Sequence, residues 1–148
     1  IHPEKTTLVD FRKPGTKRDC ESGNGTFDFV GFTHYWGKSR RGYWVIKRKT
    51  MGKRLNRAIR KHWQWCRKNR HMPVKEQHWK LRQKLNGHYQ YYGIRGNYDN
   101  LKVVLKETER AWQYWLSRRS QESRIPWEKF HKLLAKYPLP RPRIVHSI

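Results

Sequence analysis

Acidic residues are the scarcest feature of this sequence. Its 148 residues hold 11 Asp+Glu against 35 Lys+Arg, a formal net charge of +24. That imbalance argues against an ordinary small-metabolite enzyme, most of which sit near neutrality, and points to a polyanionic partner. Cysteine is nearly absent. Cys20 and Cys66 do not make a disulfide framework, so the expected compartment is a reducing cytoplasm. Long apolar runs are missing too, and no stretch approaches the roughly 18 residues that span a bilayer. No segment reads as a basic amphipathic helix of the interfacial type, so no membrane is expected. The start, Ile1-His2-Pro3-Glu4-Lys5, is polar and has no signal-peptide core. It also lacks an initiator Met, which reads as a fragment, or as a piece whose natural upstream partner is missing.

The hydrophobic fraction is 35%, low for a folded domain, but 8 Trp, 8 Tyr and 5 Phe offset it. Each ring buries about 150–250 Å² when packed, so a small core with a large basic surface is expected. The charge is also uneven. From Phe29 to Lys75 there are 15 Lys+Arg and no acid. A window of one sign repels itself unless a polyanion such as nucleic acid compensates.

The pattern predicts an α+β chain: a short N-terminal β-hairpin region followed by a basic bundle of three to four helices. A short strand is expected at Thr7–Phe11. Thr26 to Trp36 reads as one strand, with Gly31 marking a bulge or close approach. Gly37–Gly42 reads as a turn and Tyr43–Lys47 as the second strand. The period then turns helical. Met51, Leu55, Ile59, His62 and Cys66 share one face, with Thr50 as N-cap. A second helix spans about 74–92, with Leu81, Leu85, Tyr89 and Tyr92 in a stripe and Gly93 as its C′ stop. A third begins at Asn97 or Asp99 and runs to about 119. A fourth opens at Pro126, with Phe130 and Leu133 on its apolar face. Pro138 to Arg143 must be extended.

Little here points to chemistry. No two acids are adjacent, and Asp10, Asp19 and Asp28 read as solvated loop acids, so neither catalytic nor metal-binding residues are predicted. His62 and Cys66 read as a core histidine and a buried thiol. The positive signal is basic and aromatic. Arg54, Arg57, Lys61 and Arg67 lie off the apolar stripe and are expected to meet RNA phosphates. Around the end of the second helix, His88, Tyr91, Arg95 and Asn97 combine rings with donors, and rings can stack on unpaired bases. Tyr89 and Tyr92, at helical spacing, read as core. Arg118, Arg119 and Gln121 form a second donor cluster, or else pair with a helix C-terminus.

Several ordered segments resemble the C-terminal part of a bacterial group II intron-encoded reverse transcriptase/maturase. They are His2-Pro3-Glu4-Lys5-Thr6, Phe27-Asp28-Phe29-Val30-Gly31-Phe32, Leu85-Asn86-Gly87-His88-Tyr89-Gln90-Tyr91-Tyr92-Gly93, Trp115-Leu116 with Arg118-Arg119-Ser120-Gln121, and Pro138-Leu139-Pro140-Arg141-Pro142-Arg143. The resemblance implies three segments: 1–50 as the end of the reverse transcriptase palm, 51–137 as the thumb/maturase helical domain X, and 138–148 as an extended Pro/Arg tail. It implies that Phe29, Gly31 and Phe32 resemble a primer grip. It implies binding to group II intron RNA and help in splicing and mobility, in a bacterial cytoplasm. Target DNA or an RNA/DNA duplex, and an upstream palm/fingers segment, are further implied partners. The family's metal-binding aspartates have no counterpart here. The chain is therefore expected to need no cofactor itself, Mg²⁺ belonging to a full-length RNA-directed DNA polymerase of which it would be part. A rival expectation is a basic protein that coats nucleic acid without preference.

Overall fold

In a computed structural model, the described residues are 11, 13 and 25–146. The chain divides into two compact units, 1–51 and 52–148. Three antiparallel strands come first and helices follow, so the fold is α+β.

The first unit is a meander of β1 (Phe27–Phe29), β2 (Phe32–Lys38) and β3 (Trp44–Thr50). This corrects the single strand expected over Thr26–Trp36. Val30 (φ 52°) and Gly31 (φ 85°) both have positive φ, and Phe29 pairs with Phe32 across them. Two left-handed residues between paired strands make a type I′ turn, whose twist matches that of the flanking strands. Gly31 thus belongs to a hairpin turn rather than a bulge. The second turn is shorter than expected, because Gly37 and Lys38 extend β2 and pair with Val45 and Trp44. Rings gather on one face. Phe27 lies parallel to its cross-strand partner His34 at 4.6 Å, and Phe11 stacks on Trp36 at 5.5 Å. Phe11 is not in a strand, and the remainder of the strand expected at Thr7–Phe11 lies outside the described residues. Thr50, expected as a helix cap, is instead the buried last residue of β3.

The second unit holds α1 (Gly52–Lys68), α2 (Val74–Tyr92), α3 (Tyr98–Leu116) and α4 (Trp127–Lys136). Its core is the set of stripes that the 3.6-residue period picks out. Leu81, Leu85 and Tyr89 of α2 meet Leu101, Val104, Ala111, Trp112 and Leu116 of α3, with Cys66 of α1 and Phe130 of α4. Trp112 meets Phe130 edge-on at 5.7 Å. Burying a side chain of the size of Leu or Phe stabilises by about 1.5–3 kcal/mol relative to exposure, so these stripes hold the helices in place. No helix among the described residues is long and apolar enough to cross a membrane.

Past α4 the chain is extended, as its prolines require, and it is docked along α2. Pro138 and Pro140 offer their carbonyls to His78 Nε2 (2.7 Å) and Tyr89 Oη (2.9 Å). Leu139 between them is buried. Farther on, the N–H groups of Val145 and His146 donate to the Gly93 carbonyl at 2.7 and 2.9 Å. Crowding on both sides explains Gly93. Its φ is −76°, so it is not the left-handed stop expected of a helix-ending glycine. A Cβ there would sit 2.3 Å from the Tyr89 carbonyl oxygen and 2.6 Å from that of Arg143.

Candidate nucleic-acid interface

α1 carries seven Lys and Arg and no acid. At 3.6 residues per turn, Lys53, Arg54, Arg57, Arg60, Lys61, Arg67 and Lys68 fall within an arc of about 140°. All seven are exposed. None is in an ion pair among the described residues, where the pairs are Lys102–Asp99 and Arg110–Glu107, both within α3.

The opposite face of α1 sets how this arc is turned. Leu55, Ile59 and Cys66 pack on the core, and His62 is pinned by hydrogen bonding. The Thr108 hydroxyl donates to the Val104 carbonyl at 2.7 Å, so its oxygen accepts from His62 Nδ1, also at 2.7 Å. Burial, with the nearby charges of His88 and Lys84, pulls the His62 pKa down to about 4. The imidazole is therefore neutral at pH 7. Burial likewise pushes the Cys66 thiol up to about 12, leaving it protonated. Trp63 Nε1 donates to Glu107 Oε2 at 3.0 Å, a second pin between α1 and α3. Arg54, Arg57, Lys61 and Arg67 consequently face solvent. The Arg67 guanidinium reaches the Trp115 ring, 5.6 Å from its centroid, and Arg70 does so at 5.8 Å.

The cluster around the end of α2 is split by burial. Tyr91 is 48% exposed, and Arg95 is exposed. His88, expected as a surface group, is half-buried. Its ring stacks on Tyr92 at 4.6 Å, burial lowers its pKa to about 4, and its Nε2 has no partner among the described residues. Asn97, expected to meet RNA, is 1% exposed. Its Nδ2 donates to the Tyr92 carbonyl at 2.8 Å, bracing the turn between α2 and α3. Its side chain is closed to a ligand.

The cluster after α3 is split in the same way. Arg118 is exposed, with its guanidinium 3.4 Å from the Tyr114 ring centroid. Gln121 is exposed and lines a shallow polar groove with Gln113, Ser117, Ser120 and Arg124. Arg119 turns inward. Its Nε donates to the Arg70 carbonyl at 2.6 Å and its Nη2 to the Met72 carbonyl. Both clusters flank α3, whose 19 residues separate their helix ends by roughly 28 Å. They cannot form one pocket.

Within the sheet unit, Phe29 is 65% exposed, Gly31 is buried and Phe32 is half-buried, with Phe29 and Phe32 strand partners across the turn. The face opposite the ring cluster carries Lys47 and Lys49, with Lys49 Nζ 5.1 Å from the Tyr35 ring centroid.

Sequence reasoning missed one surface. Trp65, Asn69, Met72, Lys80, Gln83 and Lys84 line a groove between α1 and α2. Trp79 is 54% exposed beside it. The signal was present, since Trp79 falls off the Leu81–Leu85–Tyr89 stripe and so cannot share its burial. Among the described residues no three His, Cys, Asp or Glu side chains gather as metal ligands. No protein-family model, curated protein or solved structure matches this chain.

Proposed function

We propose that this protein binds folded RNA of the group II intron type and assists its splicing and mobility, in the cytoplasm of a bacterium. The observation that carries this reading is the acid-free arc of α1, seven exposed cations on a helix whose rotation is set by buried contacts. Phosphates neutralise such a face and release counterions, which drives binding. Arg95, Arg118 and Gln121 add donors at two further places on the same unit, and Tyr91 adds a ring. Phosphate contacts hold the RNA, and exposed rings and amides distinguish one fold from another. The intron as partner rests on the ordered motifs from His2 to Arg143. RNA/DNA duplex and target DNA present the same phosphates and are secondary partners. In this reading the splicing chemistry belongs to the RNA, and polymerisation would need Mg²⁺-binding carboxylates from an upstream segment.

The test is binding of a transcribed group II intron RNA and of bulk tRNA at two salt concentrations. With 6–10 phosphate contacts, affinity falls about 10³–10⁵-fold between roughly 50 and 200 mM salt, taking the duplex-DNA rule. Changing Arg54, Arg57, Lys61 and Arg67 together to Gln lowers the salt slope by roughly three to four while helical circular dichroism is kept. A flat salt profile for the unaltered protein overturns the reading. Equal affinity for intron RNA and tRNA favours the non-selective coating protein.

A further inference from the structure

α2 has a glycine in its interior for which the folded chain has no use. Gly87 lies within Val74–Tyr92, where glycine is the weakest helix former after proline. Two structural needs commonly keep a glycine in place, a positive φ or a neighbour packed where Cβ would stand. Gly87 meets neither. It is not among the positive-φ residues, and a Cβ built on it meets nothing within 4 Å. Gly93, six residues on, shows the contrast, with two carbonyl oxygens in the way of its Cβ. The backbone at Gly87 is bare and open to solvent.

The neighbours of that spot have a definite chemistry. Lys80, Lys84 and Tyr91 share its row at i−7, i−3 and i+4, and Gln83 and Gln90 flank it at i−4 and i+3. All five are exposed. No acid occurs between Glu76 and Asp99. The patch therefore offers ammonium groups and neutral amides around a point with no side chain.

Building on the RNA-binding reading, we infer that the ribose–phosphate backbone of a bound RNA strand crosses α2 at Gly87. The missing side chain lets the strand touch the helix backbone. Lys80 and Lys84 take phosphates beside the crossing, and the amides of Gln83 and Gln90 meet ribose hydroxyls. A methyl group at position 87 would hold the strand off and lengthen each of these contacts together.

Gly87→Ala and Gly87→Leu test this, with a transcribed group II intron RNA as probe and thermal unfolding measured in parallel. Both substitutions suit an open helix position, so the unfolding midpoint stays level or rises. RNA affinity falls by about tenfold or more for Ala, as for one lost charged hydrogen bond, and further for Leu. Stability and binding thus move in opposite directions, which a packing role would not produce. An Ala variant that binds as tightly as the unaltered protein overturns the crossing point and leaves the RNA reading intact. A lowered midpoint overturns it as well, since glycine would then serve the fold. Failure of the unaltered protein to bind RNA overturns both.

Discussion

Gln77 and Arg119, far apart in sequence, donate to the same two carbonyls. Gln77 Nε2 reaches the oxygens of Arg70 (3.2 Å) and Met72 (2.6 Å), and the Arg119 guanidinium forks onto that pair. Gln77 Oε1 accepts from Trp112 Nε1 at 2.9 Å, so the clamp runs from the α1–α2 turn into the core. The turn that delivers α1 to α2 is held from two sides by groups with planar donor geometry.

Removing one member leaves its partners unsatisfied. Gln77→Ala strips the buried Trp112 Nε1 of its acceptor and should destabilise by about 1–3 kcal/mol. Arg119→Ala should lower stability by less, because Gln77 still donates to both carbonyls it leaves. Both effects are read from urea unfolding. RNA affinity per folded molecule should change less for Arg119→Ala than for Arg118→Ala, because only Arg118 has its guanidinium at the surface. A larger binding loss at Arg119 would contradict its structural role.

Gly93 should not tolerate a side chain. In Gly93→Ala the Cβ collides with the backbone of Tyr89 and of Arg143, so the end of α2 and the tail must both shift. Overpacking of this kind costs about 1–3 kcal/mol. Trypsin should then cut after Arg143 faster than in the unaltered protein, with mass spectrometry following the released Ile144–Ile148 peptide. Unchanged cleavage would mean that docking of the tail does not depend on this contact.

Acid should weaken the fold through His62. Its pKa is about 4 in the folded state against 6.5 in a model peptide, so the fold binds fewer protons than the unfolded chain. The contribution is complete above about pH 6.5 and is lost as pH falls from there toward 4. It amounts to something on the order of 3 kcal/mol. His88 is shifted in the same direction. Urea unfolding at pH 7 and at pH 4.5 should show the loss. His62→Asn, which keeps a donor for Thr108 without a titrating ring, should show a smaller one. Parallel losses in the two proteins would assign the acid sensitivity elsewhere.

Cys66 should be inert in the native state. Its thiol is fully buried and pushed up to about 12, so almost no thiolate exists at pH 8. In a Cys20→Ser background, Ellman's reagent should react with it only at the rate of unfolding and at once in urea. Prompt labelling without urea would show that α1 opens from the bundle far more readily than its packing implies.

Local pattern determined much of this protein. The stripes Leu81–Leu85–Tyr89 and Leu101–Val104–Trp112 follow from the 3.6-residue period alone, because burial of apolar area dominates where a helix turns its face. The basic arc of α1 follows from the same period, and His62 and Cys66 were legible as core residues from their place on its apolar stripe. The segment from Pro138 to Arg143 had to be extended because its three prolines lack donors and have fixed φ. Tertiary structure decided the polar groups. Nothing in the residues around Arg119, Asn97 or His88 says which will face water. Arg119 turns inward because the carbonyls of Arg70 and Met72 need donors. Asn97 is enclosed because the end of α2 exposes the Tyr92 carbonyl, and His88 is drawn against Tyr92. The same holds for the two glycines. Gly93 is required both by the Tyr89 carbonyl just before it and by a tail segment some fifty residues away, while the open space at Gly87 exists only once α2 has been packed. A hydrophobic stripe is a local sum, whereas the fate of a donor depends on an acceptor that only the folded chain brings near.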